Sequence, residues 1–458
     1  MKYETFLRHK EITVPFSGIE IDQADISPKL FDFQRDIVLW ALKKGKAAIF
    51  AGTGLGKTLM QLEWAKHIGG TVLILAPLAV SKQTISEGEK FGIAVKHCLS
   101  QEDLIDGGIN ITNYERMDRF DFSKLRGIVL DESSILKAQT GKIRSQLIEY
   151  CRQIPYRLAC TATPAPNDLM ELCNHSEFLG VMSSNEMLAT FFVHDGGDTS
   201  KWRLKRHAVH DFWRWVASWS VMLTNPQDLG YDGTRYNLPP LRIAQNTVHT
   251  EKQPESLFAV EALTLQERQQ ARRDSVQDRA RACAEIVNAD TDQWLVWCNL
   301  NSEADALKAL IPGAVEINGS DKLDVKEQAA VDFAAGRIRV LISKPLIFGM
   351  GLNFQRCHKM AFVGLSDSFE QYYQSVRRCW RFGQENPVDV RIITADTEGA
   401  VVENIQRKER QFEEMLRGMI AVTQNITKDN IKATTRTKTY EPQERMELPK
   451  WLKTATAA

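Results

Sequence analysis

The stretch Ala51-Gly52-Thr53-Gly54-Leu55-Gly56-Lys57-Thr58 constrains this chain more than any other. It follows the apolar run Ala47–Phe50 directly and opens a helical run that ends at Gly69-Gly70. Glycines let backbone N–H groups curl around phosphate oxygens, and the following helix N-terminus favours anions. In that setting Lys57 reaches β- and γ-phosphates and Thr58 ligates magnesium. Ala51 stands where the general pattern has Gly. The expected ligands are ATP, held by Ala51, Gly52, Thr53, Gly54, Leu55, Gly56, Lys57 and Thr58, and a magnesium ion.

The runs around this loop set the fold class. Ala47–Phe50, Val72–Leu75, Ile109–Thr112, Ile128–Leu130 and Leu158–Cys160 are short and β-rich, with helical or irregular stretches between them. That alternation predicts βαβ units and a mainly parallel sheet. Asp131 and Glu132 follow one apolar run, at the strand end where open α/β sheets place ligands. Behind a phosphate loop two adjacent carboxylates divide labour: Asp131 holds the metal, and Glu132 positions or deprotonates the attacking water.

A second series begins near Trp294, with Trp294–Cys298, Ala314–Ile317, Val340–Ser343, Met360–Val363 and Val388–Ile393. The chain's 458 residues exceed what one hydrophobic core usually serves, so two large domains are expected. Ser302 and Ser368 are read as helix N-caps, the latter with Gln371 at capping-box spacing. Between the series, Phe212, Trp215, Val216, Trp219 and Leu223 fall at helical spacing along one stripe, read as packing. Lys201, Arg203, Lys205 and Arg206 surround Trp202, a mixture suited to phosphates and bases and equally to a solvated loop. Leu238-Pro239-Pro240 reads as a stiff linker. After Thr397 a helical stretch carries Val401, Ile405 and Phe412, and beyond Thr427 a Thr- and Lys-rich tail is expected to be poorly ordered.

Composition narrows the partners only weakly. Lys plus Arg and Asp plus Glu both number 58, so any nucleic-acid surface must be a local patch. The eight cysteines form no Cys-x-x-Cys pair, which argues for reduced thiols over a zinc module. Met1 to Lys10 lacks the apolar core of a signal peptide, and Val72–Val80 is too short to span a bilayer. A cytoplasmic protein with no membrane partner is expected.

Phosphoryl transfer spreads negative charge over the γ-phosphate oxygens, which calls for cations beyond Lys57 and magnesium. Gln374, Arg378 and Arg381, spaced i, i+4, i+7, are expected on one face of the helix after Ser368.

Together these motifs resemble helicase superfamily two, and within it the Swi/Snf-type DNA-dependent ATPases, especially compact bacterial or phage members. Leu30-x-x-Phe33-Gln34 is similar to the adenine-reading motif, and Ala51-x-x-Gly54-x-Gly56-Lys57-Thr58 and Asp131-Glu132 to the two ATPase motifs. Ile111-Thr112-Asn113-Tyr114-Glu115 resembles a nucleic-acid-contacting motif and Thr161-Ala162-Thr163-Pro164 the coupling motif. Gly349-x-Gly351-Leu352-Asn353 resembles the fifth motif, and Gln374 through Gln384 the arginine-finger motif. The resemblance implies that Gln34 reads adenine, that Gly351 lies near the γ-phosphate, and that Gln374, Arg378 and Arg381 complete the site. Three places depart: Ser133-Ser134 replaces the usual Ala-His, Arg377 replaces a Gly, and Ser343-Lys344-Pro345 replaces a Ser-Thr pair.

The expected fold is α/β, with two tandem RecA-like lobes, a helical Trp-rich insertion and linker between them, and a C-terminal helix. The boundaries are an N-terminal extension over 1–29, lobe one over 30–180, the insertion over 181–240, lobe two over 241–396, and helix and tail over 397–458. The expected activity is ATP-driven movement on double-stranded DNA, with RNA a less favoured substrate. The alternatives are a strand-separating DNA or RNA helicase and an ATP-gated clamp. The resemblance also leaves room for a nuclease, replication or recombination partner.

Overall fold

Parallel strands buried on both faces must alternate two cores along one chain segment, and β1 (Lys46–Ala51) does so. Ala48 and Phe50 enter one apolar cluster while Ala47, Ile49 and Ala51 enter another on the opposite face. The computed structural model describes residues 14–77, 80–137, 141–195, 198–249, 270, 272–348 and 353–435.

Among these residues the first lobe contains β1, β2 (Val72–Ala76), β3 (Val95–His97), β4 (Ile109–Asn113), β5 (Gly127–Asp131) and β6 (Tyr156–Thr161). The excursion β7 (Phe192–Asp195) and β8 (Asp198–Leu204) forms an antiparallel hairpin, after which β9 (Ser220–Leu223) returns to the sheet. The order is β3-β4-β2-β5-β6-β1-β9, with every pairing parallel. Helices α1 (Asp32–Lys44), α2 (Lys57–Ile68), α3 (Ser81–Phe91), α4 (Lys142–Cys151), α5 (Glu171–Leu179), α6 (Ser184–Phe191) and α7 (Val209–Ala217) accompany it.

The second lobe contains β10 (Leu241–Val248), β11 (Trp294–Cys298), β12 (Val315–Ile317), β13 (Val340–Ser343), β14 (Lys359–Val363) and β15 (Val388–Ala395). Their order is β10-β15-β14-β11-β13-β12, again parallel throughout. With it run α8 (Val276–Asn288), α9 (Asn301–Leu310), α10 (Leu323–Ala334), α11 (Pro345–Phe348), α12 (Phe369–Val376) and α13 (Gly399–Thr435).

Three expectations change here. The aromatic stripe is not one helix: α7 ends at Ala217, Trp219 lies in the turn, and Leu223 sits on β9. Its residues are nonetheless buried, so the packing reading holds by a different geometry. Because β9 pairs with β1, the first lobe's sheet reaches Leu223, well past residue 180, and the segment 181–240 is not purely a helical insertion. Ser302 is not a cap. Glu303 takes that role, its carboxylate accepting from the backbone N–H groups of Asn299 at 2.7 Å and Leu300 at 2.9 Å. Ser368 does cap α12, accepting from Gln371 N.

Helix α13 runs farther than its polar sequence suggests, past Thr427 to Thr435, because it has apolar anchors on both lobes. Val401, Val402, Ile405 and Phe412 bury into the second lobe, Met419 into the first beside the α7 aromatics, and Ile431 into the core around α1. Residues 436–458, the rest of the expected tail, lie outside the described residues. Met419 is fully buried, so Met419→Ala should cost about 2–5 kcal/mol of stability. The check is the thermal unfolding midpoint, which should fall clearly, whereas Arg417→Ala on the exposed face of the same helix should leave it nearly unchanged.

Candidate active site

The phosphate loop leaves the C-terminal end of β1, and the register of the sheet decides what lies beside it. Phe50 is level with Thr161 on β6, and Cys160 with Asp131 on β5. One edge of the sheet therefore carries the loop, the Thr161 segment and the acidic pair side by side. The loop's own curvature comes from Gly54 and Gly56, both in the left-handed region at φ +86° and +79°. A Cβ at Gly54 would lie 2.9 Å from Cβ of Phe382, and one at Gly56 2.2 Å from Nε2 of Gln34. Gly54 thus admits the second lobe to the loop, and Gly56 admits Gln34 beneath it.

The resulting cleft, of about 130 Å³, is lined by Thr53, Gly54, Gly56, Lys57, Thr58, Asp131 and Glu132 from the first lobe. Arg378 and Arg381 line it from the second. The two arginines reach it without a continuous helix: α12 ends at Val376, and both follow in the turn beyond, with Arg378 Nε donating to the Gln374 carbonyl at 2.9 Å. Gln374 is not on the wall. Its amide donates to Glu370 at 3.4 Å.

The loop holds its lysine on its own carbonyls. Lys57 Nζ donates to the carbonyls of Ala51 at 3.0 Å and Gly52 at 3.4 Å. Burial pulls its pKa below the usual lysine range, opposed by Glu132 and Asp131. Asp131 is pushed up to about 6, first by burial and then by Glu132, with the hydrogen bond from Gln61 opposing. Arg378 is pushed down to about 9 by burial and by Arg381. Like charges crowd each side of the cleft, a pattern that a bound polyphosphate and a divalent cation would relieve. Thr58 and Asp131 supply the oxygen donors that a magnesium ion takes.

Several assigned residues stand differently. Gln34 has both ends of its amide engaged, accepting from Phe31 N at 3.0 Å and donating to the Leu55 carbonyl at 2.9 Å. It props the loop as folded. Gly349 to Leu352, including Gly351, lie outside the described residues. Of the segment Ile111–Glu115, only Glu115 is exposed. Tyr114 is interior, its hydroxyl donating to the Asp131 carbonyl at 2.7 Å, so it holds the end of β5 and not nucleic acid. Arg377 lies over the rings of Trp380 at 4.2 Å and Tyr373 at 5.1 Å, beside a second cavity of about 380 Å³.

Other contributors had gone unassigned. Gln83 and Glu87 of α3 line the cleft. Gln61 donates to Asp131 Oδ1 at 2.8 Å. The lobes are also tied by ion pairs, Lys82 with Glu327 and Lys137 with Glu370.

Residues 278–383, from α8 through the turn that carries Arg378 and Arg381, match the family model described as the helicase conserved C-terminal domain. The match lies wholly within the second lobe. No curated protein sequence matches the chain. Among solved structures it is similar to S. cerevisiae Dbp5 bound to RNA and ADP BeF3, with 13% identity, a TM-score of 0.53, and 85% of this chain and 93% of that one covered. A single-substitution variant of Dbp5 with the same ligands gives 12% identity and a TM-score of 0.51 over the same shares of the two chains. At that identity the likeness establishes the fold alone: two tandem RecA-like lobes. Among the described residues no helix is long and apolar enough to cross a membrane.

Proposed function

We propose that the protein is a nucleic-acid-stimulated ATP hydrolase that moves along double-stranded DNA. The observation that carries this reading is the composite cleft, in which a phosphate loop and acidic pair on one lobe face two buried arginines on the other. A nucleotide held from both sides favours the closed pair of lobes, and its hydrolysis weakens that preference. The ties between lobes are compatible with such a cycle. Lys82–Glu327 and Lys137–Glu370 are partly exposed pairs, worth about 0–1 kcal/mol each, far too little to lock the lobes.

In the proposed reaction Lys57 leaves the Ala51 and Gly52 carbonyls for the phosphates. Glu132 orients the attacking water and takes its proton. Arg378 and Arg381 neutralise charge developing on the transferred group. A magnesium ion, held by Thr58 and Asp131, would supply further neutralisation of the phosphates. Gln374 and Gln34 are not among the residues that line the cleft.

Movement on a duplex is favoured over strand separation by the hairpin β7–β8. Its Trp202 lies against His194, 3.7 Å between centroids of the tilted rings, and packs on the first lobe's core, so it is not poised as a wedge. Lys205 donates to the carbonyls of Ala189 and Thr190 at the end of α6, so it is partly used as a cap. Arg203 and Arg206 are exposed, and the side chain of Lys201 lies outside the described residues. Replacing Lys201, Arg203 and Arg206 together should lower the slope of log affinity against log salt by up to about 3 units on duplex DNA. An unchanged slope returns the hairpin to a structural role. The reading as a whole is tested by ATP turnover on duplex DNA, single-stranded DNA and RNA, followed by triplex displacement. Duplex DNA should stimulate most and the triplex strand should be displaced; maximal stimulation by RNA would install the alternative.

A further inference from the structure

Glu132 is the one residue other than glycine with a positive φ, 56°, among those described. A side-chain-bearing residue stays in that region only when its surroundings over-determine it. The carboxylate itself is held by Thr161, whose hydroxyl donates to Oε2 at 3.2 Å. The segment beyond it is held by two consecutive residues of α5, one at a backbone carbonyl and one at a side-chain hydroxyl. Asn174 Nδ2 donates to the Leu136 carbonyl at 2.7 Å, and His175 Nε2 lies 3.1 Å from the Ser133 hydroxyl.

His175 is fully buried, its ring edge-on to Phe50 at 5.1 Å. Its Nδ1 lies 3.4 Å from the Glu171 carbonyl. A carbonyl only accepts, so Nδ1 carries the ring's proton and Nε2 presents a lone pair. The hydrogen bond therefore runs from the Ser133 hydroxyl to His175. Burial pushes the imidazole down to about 4, which keeps it the neutral acceptor this arrangement needs. The far end of the same short segment, Lys137, pairs with Glu370 at the start of α12 in the second lobe.

We propose that His175 is a positioning residue for Glu132: by accepting from Ser133 it holds the strained turn so that the carboxylate faces the water that attacks ATP. The inference rests on the hydrolase reading above. It also accounts for Ser133, whose hydroxyl has a partner on α5.

The test uses the full chain under saturating duplex DNA. His175→Phe fills the space without an acceptor and should lower kcat about 10²-fold, with KM for ATP and the thermal midpoint nearly unchanged. His175→Gln, whose amide oxygen reaches the place of Nε2, should recover most of that loss. Ser133→Ala, a far smaller change, should lower kcat in the same direction and add little to His175→Phe in the double variant. It carries the test should His175→Phe not fold. Turnover in His175→Phe within about twofold of wild type overturns the proposal alone. Equal damage to kcat, KM and thermal midpoint in both His175 variants does so too, since it shows a core residue only. A wild-type protein that does not hydrolyse ATP on any nucleic acid overturns the hydrolase reading and the proposal together.

Discussion

Arg378→Ala and Arg381→Ala should each lower DNA-stimulated kcat by roughly 10³-fold or more, the lower end of what an arginine finger supplies. That is about 4 kcal/mol of transition-state stabilisation, several times the 0–1 kcal/mol of a surface ion pair. The expectation follows from placement. Both side chains line the cleft opposite Glu132, and both are buried, where burial and, for Arg378, the neighbouring arginine hold their pKa values down. Two guanidiniums kept together in a poorly solvated cleft are unfavourable until negative charge arrives, and that charge is greatest in the transition state. ATP affinity should change much less than kcat. Thermal stability should stay close to wild type, because each replacement removes a desolvated cation. An arginine whose alanine variant hydrolyses ATP within a few-fold of wild type, at saturating DNA, has no such role.

How much of this was legible in the chain depends on the range over which each residue is determined. The strands around the cleft could be read because a parallel sheet buries both faces, so each strand is a short apolar run with turn-forming residues on either side. The phosphate loop and the Asp131-Glu132 pair were legible because their chemistry is local. Gln61 was within reach as well: it stands four residues after Lys57, on the same face of α2. The arginines were expected on one helix face, but α12 stops at Val376 and both line the cleft from the turn beyond it. Leu223 was misassigned because helical spacing cannot tell a stripe on one helix from a helix followed by a strand. His175 carried no local signal. Its importance comes from β1, β5 and α5 meeting in three dimensions, and a lone histidine amid apolar residues reads as core. The same holds for α13, whose anchors Met419 and Ile431 look isolated until α7 and α1 are found beneath them.

Lys57→Ala and Glu132→Gln should both abolish turnover, yet fail in different ways. Lys57 Nζ donates to the Ala51 and Gly52 carbonyls, and a phosphate oxygen is a better partner for an ammonium than a neutral carbonyl. That interaction exists as soon as ATP binds, so Lys57→Ala should weaken nucleotide affinity along with catalysis. Its loss also removes a positive charge that acts on Asp131 and Glu132, which further disfavours an anionic ligand. Glu132 acts on the water instead. Glu132→Gln keeps the shape and the Thr161 contact, removes a negative charge from the phosphate side, and deletes the proton acceptor, so turnover should fall by about 10²–10⁴-fold. ATP should then bind at least as tightly as to wild type and hold the lobes closed on DNA, because the step that releases them is blocked. Nucleotide binding and single-turnover hydrolysis, measured side by side on the two variants, separate these outcomes. Wild-type turnover in Glu132→Gln would remove the carboxylate from the reaction, and unchanged ATP affinity in Lys57→Ala would mean that the lysine does not engage phosphate in the ground state.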